Sequence, residues 1–476
     1  SGEGTSAKGQ AGLLNYIDNE FVKPKGDVGP LVMCPTDYNK SWGNYSEGHY
    51  MWTLGRTLNP SVEIMWTGDH VIDQVTNKTL DFINPIMARK AYIWWNFPVS
   101  DYVRDHLLMG PVYGNDCDVQ DKLSGFVSNP MEHADASMVT LGPIGDYCWN
   151  MAAYDSLASW RHCIRELMPT NSWALEAFCK HNSDLGPNGH GFRRDESVGL
   201  KPVFDRIIAA LSDGTPAVNF DKLKVHNDDL KTLGNSAGEI VQASNILLGS
   251  TEAPHLLDDM RPWLWQFKLT GEYGLAVVNM ASIAMMELHD HHFSAWHRAA
   301  LNAQRQMTWY DRNLNQNPYQ PGIKTASLVV KPGLDEMFRL ATEVYNERTG
   351  DSLTTEAVPT PFRLTTTVPQ LAKQPSRAEG KRNRISPSLE VVEWPADATV
   401  TFSFDEPTAI TWVDVDLGLT DYNALEVKLD DEVIAMNAAG ATKVNRNVWG
   451  KKIKTATIKL NKASQVKLND ISIYAQ

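Results

Sequence analysis

Four short apolar runs recur along the first third of the chain, their starts about 30 residues apart, which is the length of a strand plus a crossover. They are Pro30–Tyr38 (PLVMCPTDY), Ser61–Gly68 (SVEIMWTG), Ala91–Asn96 (AYIWWN) and Leu123–Asn129 (LSGFVSN). Each run is nearly continuously apolar, as strands of a parallel sheet covered on both faces should be. Polar residues gather at the C-terminal ends: Asp37 and Tyr38, Thr67 and Asp69, Asn96 and Asp101, and Asn129. In a β/α barrel that end carries the active face, because the βα loops open there. A closed barrel needs eight strands and only four are legible. The region therefore reads as the second half of a (β/α)8 barrel of the TIM type, in a chain expected to begin part-way through that domain.

Periodicity divides the chain into three: residues 1–150 as the C-terminal half of the barrel, 151–350 as a helical bundle and 351–476 as a small β-sandwich. In the first part a helix is expected with Leu13, Leu14, Ile17 and Phe21 on one face, and a crossover helix over Val71–Ala88. In the second, long helices are expected over Pro262–Tyr310 and over Val329–Thr349, the latter stopped by Gly350. Thr354–Arg382 reads as a linker. Alternating runs follow at Thr399–Phe404, Ile410–Leu417, Leu425–Leu429, Lys454–Leu460 and Gln465–Ile473, with Asp430-Asp431 as a turn.

The formal charge of −13 argues against nucleic acid as a partner. No run of 18 apolar residues occurs that would span a membrane. The five cysteines lack the CxxC spacing of a zinc site, and Cys34, inside an expected strand, reads as a small buried apolar residue. Gly234-Asn235-Ser236-Ala237-Gly238 fits the GxSxG nucleophile pattern, but its flanks read as helix where that chemistry needs a strand, a sharp turn and a helix. His289, His291, His292 and His297 cluster without an HExxH motif, so no metal or other cofactor is expected. What remains is the strand-end set. A phenol (Tyr38), two amides (Asn96, Asn129), a carboxylate (Asp101) and an indole wall (Trp94) are the groups that recognise a sugar by hydroxyl pairing and ring contact. Trp394, Trp412 and Trp449 in the C-terminal region are either stacking surfaces or core.

The stretches EIMWTGDHVI, RKAYIWWNFPVSDYVRDHLLMGPVYG and FVSNPMEHA resemble the catalytic domain of glycoside hydrolase family 84, the β-N-acetylglucosaminidases that include bacterial relatives of O-GlcNAcase. HNSDLGPNGHGFRRDES and NQNPYQPGIKTA are similar to the bacteroidete type. The resemblance implies a retaining exo-β-N-acetylglucosaminidase acting on terminal β-linked N-acetylglucosamine, including O-linked N-acetylglucosamine on proteins, by substrate-assisted catalysis. There the substrate's own acetamide oxygen attacks the anomeric carbon to form an oxazoline, an exception to the usual two-carboxylate scheme. It implies that Tyr38 bonds the acetamide oxygen and that Asn96 sits beside the acetamido group. It further implies that Trp94 walls that pocket, that Asp101 and Asn129 bind outer hydroxyls, and that Trp42 and His190 lie near the aglycone. Two adjacent Asp residues serve as acetamide-orienting group and general acid in the family. By the resemblance they fall before Ser1, so this chain alone is expected to be inactive and the missing half of the barrel to be its partner. A secreted or periplasmic protein is also implied. The alternative is a non-catalytic, split or degenerate relative that binds N-acetylglucosamine or a partner. An Asp-Asp pair in the sequence preceding Ser1 distinguishes the two.

Overall fold

The structure is a computed structural model; it describes all residues except 1, 184–195, 215–219, 287–290, 316–321, 356–361, 374–375, 380–381, 386–390, 420, 422–423, 438–442 and 476. The chain divides into two compact units, the first comprising residues 1–102 and 107–196, the second residues 103–106 and 197–476.

The first unit runs α1 (Gly2–Ile17), β1 (Val32–Met33), α2 (Tyr50–Thr57), β2 (Glu63–Trp66), α3 (Asn77–Met87), β3 (Ala91–Trp95), β4 (Leu123–Ser128), α4 (Ala134–Trp149), α5 (Ser156–Leu167) and α6 (Ser172–Cys179). Its four strands form one sheet in sequence order, and every pairing is parallel. All four C-terminal ends therefore lie at one edge, as the spacing predicts. The strands are shorter than the apolar runs. β1 is two residues long because Pro35 has no N–H to continue the ladder. Cys34, just past β1, is exposed and not buried as expected. Burial alternates along β2 and β3, and β4 has no buried position, so the sheet is less evenly covered than continuous apolar runs imply.

Two helix expectations change. The buried seam of α1 is Ala7 and Ala11, while Leu13 and Phe21 are more than 60% exposed. Small residues decide this, because α1 packs close beside the end of the loop before α2. A Cβ on Gly4 would meet the Gly48 carbonyl oxygen at 2.8 Å. The crossover helix begins at Asn77, not Val71. Thr76 is extended and caps it, its side chain accepting from the Thr79 N–H. Asp73, accepting from the N–H groups of Asp69, His70 and Gln74, and Asn115 Oδ1, accepting from the Val75 N–H, hold residues 69–75 as a loop. The end of α1 is tied to the start of β2 through Asp18, which accepts from Ser61 Oγ (2.6 Å) and Asn59 Nδ2 (2.8 Å) and pairs with Lys23 (2.9 Å).

The second unit runs α7 (Lys201–Ser212), α8 (Asp221–Gly249), α9 (Pro254–Met286), α10 (His291–Asn313), α11 (Val330–Thr349), β5 (Phe362–Thr366), β6 (Ser376–Glu379), β7 (Arg382–Ile385), β8 (Val391–Trp394), β9 (Thr399–Asp416), β10 (Leu425–Leu429), β11 (Glu432–Met436), β12 (Lys443–Leu460), β13 (Ser464–Lys467) and β14 (Asp470–Ala475). The expected single stretch Pro262–Tyr310 is two helices. α11 ends as expected, with Gly350 at φ 77°. The GxSxG match lies in the middle of α8, without the strand and sharp turn a nucleophile elbow needs. His297 is 3% exposed and its Nε2 bonds the Thr354 carbonyl at 2.7 Å. His289 and Asp290 lie outside the described residues, and no group of described His, Cys, Asp or Glu side chains could hold a metal.

The C-terminal strands form an eight-stranded sheet, ordered β11-β10-β12-β9-β14-β7-β6 with β5 also on β9, and a two-stranded β13-β8 sheet. The span read as a linker contains β5, whose Phe362 and Leu364 turn inward against β9. Thr399–Phe404 and Ile410–Leu417 merge into β9, whose antiparallel partner β12 is equally long; their shared register shifts absorb the residues between. The last run is split at Leu468–Asn469 into β13 and β14. Asp430-Asp431 is the two-residue turn expected, with Asp430 at φ 52°. No described helix is long and apolar enough to cross a membrane.

Candidate functional site

The strand-end residues fall into two contacting groups at the C-terminal edge of the parallel sheet. The first is aromatic. Tyr38, beyond β1, meets Trp42 edge-on with ring centroids 4.7 Å apart, and Trp94 of β3 at 5.1 Å. The alternation along β3 settles which indole faces this group. Trp94 is half-buried against Tyr38, whereas Trp95 is 1% exposed, donates from Nε1 to the Asp73 carbonyl (2.8 Å) and packs on Phe97 and Phe126. The second group is an amide pair. Asn129 Nδ2 donates to Asn96 Oδ1 at 3.0 Å, Asn96 Nδ2 donates to the Val71 carbonyl at 2.8 Å, and the Asn129 N–H donates to the Trp95 carbonyl at 2.9 Å. Asn96 is 5% exposed, so its orientation is fixed by these two bonds. Asp101 lies in the loop after β3 and is exposed; Trp42 is 56% exposed. His190 lies outside the described residues.

The β2–α3 loop joins the two groups. The Thr67 N–H and hydroxyl both approach the Tyr38 carbonyl (2.9 and 3.2 Å), and the same hydroxyl donates to the His70 carbonyl (2.9 Å). Asp73 accepts from the N–H groups of Asp69 (2.8 Å) and His70 (3.1 Å), which sets the loop that presents Val71 to Asn96. Reading Val71–Ala88 as helix hid Asp73. The available signal was the capping Thr76, which places a helix start after it. Asn39 was also missed. It is fully buried, bridges Gly68 in parallel, and its Nδ2 has no hydrogen-bond partner. Gly43 is required where it stands, because a Cβ there would lie 2.5 Å from Asp37 Oδ2.

Burial, with a smaller contribution from Cys34, raises the Tyr38 phenol above its usual pKa. It is a protonated donor at neutral pH. Asp69 sits 3.9 Å from Lys40 and 3.7 Å from Lys78, and its Oδ1 is buried without a hydrogen-bond partner. This edge can thus offer a phenol donor, oriented amides, aromatic faces and carboxylate acceptors. None of its carboxylates (Asp37, Asp69, Asp73, Asp101) belongs to an adjacent pair in sequence.

The family description beta-N-acetylglucosaminidase matches residues 1–180, and the bacterial post-catalytic helical domain of glycoside hydrolase family 84 matches residues 196–338. The chain belongs to glycoside hydrolase family 84. A carbohydrate binding module of family 32 matches residues 353–416. This is a multidomain member, with a catalytic-type domain, a helical domain and a C-terminal β-sandwich module. Protein O-GlcNAcase of Mus musculus is 29% identical over 128 residues, covering 26% of this chain and 14% of that protein. The Rattus norvegicus protein is 28% identical over 128 residues, with the same shares. The chain thus spans about one seventh of the length of these curated relatives. Among solved structures, CpGH84B is 26% identical at a TM-score of 0.60, covering 70% of this chain and 55% of that one. CpGH84D is 26% identical at 0.61, covering 71% and 54%. An O-GlcNAc hydrolase mutant of Thermobaculum terrenum, 21% identical at 0.56 and covering 72% and 68%, shares the fold.

Proposed function

We propose that this family 84 member is a retaining exo-β-N-acetylglucosaminidase acting by substrate-assisted catalysis on terminal β-linked N-acetylglucosamine, including the O-linked sugar on proteins. Its four parallel strands are half of a β/α barrel, residues 1–150 its core. The single observation that carries the reading is the Tyr38–Trp94 contact beside the Asn96–Asn129 pair, a half-buried phenol facing an indole next to oriented amides. Tyr38 donates to the acetamide oxygen as charge develops there, an oxyanion-hole role. Trp94 walls the acetamido pocket and Asn96 holds its polar side. Asp101 and Asn129 take the outer hydroxyls, and Trp42 and His190 face the aglycone. The adjacent carboxylate pair that orients the acetamide and supplies the general acid is assigned to no residue of this chain, so Ser1–Gln476 alone binds the sugar and hydrolyses it poorly. A general acid is worth roughly 10²–10⁴ in rate.

The test titrates N-acetylglucosamine into the chain, following Trp42 and Trp94 fluorescence, with aryl N-acetyl-β-glucosaminide hydrolysis measured alongside. Binding that Asp101→Ala weakens while melting is unchanged supports the reading. Binding indifferent to both Asp101→Ala and Tyr38→Phe rejects the site. Hydrolysis at a rate a general acid would be needed to give rejects the missing-acid argument. A non-catalytic relative binds equally but stays inactive when an adjacent Asp pair is present in the same protein.

A further inference from the structure

The connection from β3 to β4 carries Asp101, and between Asn96 and Val119 it contains no helix or strand. A parallel crossover usually carries a helix, so this one must be held by other means. Its middle departs from its own domain. Residues 103–106 group with the second unit, while 102 and 107 on either side group with the first. The departure begins two residues after Asp101.

Within the second unit this turn is bonded at three successive residues. The Arg104 carbonyl accepts from Asn315 Nδ2 (2.9 Å), just past α10. The Asp105 carbonyl accepts twice, from the Lys324 N–H (2.7 Å) and from Trp263 Nε1 of α9 (2.9 Å). His106 is bonded through both ring nitrogens, Nδ1 to Asp105 Oδ1 (2.7 Å) and Nε2 to Ser327 Oγ (3.0 Å), shortly before α11. Burial pushes the Asp105 carboxyl up, but the His106 bond and the charges of His106 and Lys324 outweigh it and hold the group below its ordinary value. The ionised carboxylate takes the Nδ1 proton, which leaves the Nε2 lone pair to accept from the Ser327 hydroxyl.

Trp263 is 2% exposed, so its indole N–H has one fixed direction. Ala326, immediately before Ser327, holds a left-handed φ of 48° that alanine rarely takes. Donors that served only the packing of α9, α10 and α11 could be spent among those helices. Instead Trp263, Asn315 and Ser327 each spend one on the same turn of the β3–β4 connection. We propose that these three, with His106 as the link, are positioning residues that hold residues 104–106 and thereby fix Asp101 for the outer hydroxyls of the sugar; the role given to Asp101 rests on the glycosidase reading above. Without the clamp the sugar would have to order the loop as it binds, and that cost weakens affinity.

The experiment uses the whole chain and two readouts, hydrogen exchange of the peptide spanning residues 101–107 and titration with N-acetylglucosamine. Ser327→Ala removes the hydroxyl from His106. It should speed exchange of that peptide and raise Kd, each about fivefold, with β3 peptides unchanged. Ser327→Thr, which keeps the hydroxyl, should restore both. Phe402→Ala, which costs stability in the β region, should alter neither, so a general loss of stability does not mimic the clamp. Asp101→Ala should weaken binding and leave exchange slow. Should Ser327→Ala fail to fold, Asn315→Ala makes the same test through the Arg104 carbonyl. Unchanged exchange in the clamp variants overturns the proposal, as does faster exchange with an unchanged Kd. No saturation by the unaltered chain rejects the glycosidase reading itself, and exchange then decides the clamp alone.

Discussion

The parallel sheet of the first unit and the antiparallel strands of the second use the same backbone geometry for opposite ends. In the parallel sheet the strands run two to six residues, and β4 has no buried position. Their work is to aim the residues just beyond their C-terminal ends, where Tyr38, Asn96 and Asn129 all lie. In the C-terminal region β9 and β12 are 18 residues each, and alternate side chains such as Val400, Phe402, Ile458 and Leu460 are fully buried. There the strands are themselves the core. On the function proposed above, the parallel sheet keeps its sugar-facing groups off the ladder, where loops can orient them. A sheet that carries stability puts its best side chains on it.

This contrast orders the expected effects of mutation. Phe402→Ala should be the largest, destabilising the C-terminal region by about 3–5 kcal/mol. Phe402 is fully buried, with its ring 5.6 Å from that of Phe362. Urea unfolding with a probe in the β region measures it, and a loss under about 1 kcal/mol would erase the contrast. Next comes Asp101→Ala in a protein that also carries the adjacent carboxylate pair, where it should lower kcat/KM in an aryl N-acetylglucosaminide assay by about 1.5–3 kcal/mol per hydrogen bond lost, with Tm unchanged. Tyr38→Phe should act mainly on kcat, since its hydroxyl matters most as charge builds on the acetamide oxygen. A drop in Tm with normal kinetics would make these residues structural and the two sheets alike.

A smaller effect is expected at Asp18. The hydrogen bond from Ser61 is the largest cause holding its carboxyl at about 2, below the ordinary 3.8; bonds from Asn59 and Lys23 add to it, and burial opposes them. A depressed folded pKa gives stability that is present above pH 4 and lost as pH falls toward 2. The amount is about 1–2 kcal/mol after allowance for the exposed Lys23. Comparing urea midpoints at pH 5 and pH 2.5 should show this loss in the native chain and less of it in Asp18→Asn. Smallest of all is Trp449→Ala. Trp449 is 87% exposed, at φ 58° on the β12 bulge, and replacing it should shift stability by no more than about 0.5 kcal/mol. A larger loss would mean that the indole packs where an exposed residue cannot.

Much of this arrangement is legible in the chain because it depends on period and punctuation. Even spacing of apolar runs prescribes strand and crossover, and parallel order then forces Tyr38, Asn96 and Asn129 to one edge. The stop of α11 at Gly350 and the Asp430-Asp431 turn follow from backbone conformations few residues tolerate. The errors share one cause, which is that hydrophobicity does not say what a side chain will meet. Leu13 and Phe21 look like the buried face of one first helix, yet α1 ends at Ile17 and buries Ala7 and Ala11 instead, because a close helix contact rewards small residues. Val71–Val75 looked helical until Asp73 and the Thr76 cap claimed the backbone. The sequence by itself determined which polar groups stand at the strand ends and that they share an edge. Only the tertiary structure decided that Trp94 and not Trp95 faces Tyr38, and that Asn129 and Val71 orient Asn96. Hydrogen-bond partners that lie far apart in the chain are chosen by packing and have no local signature.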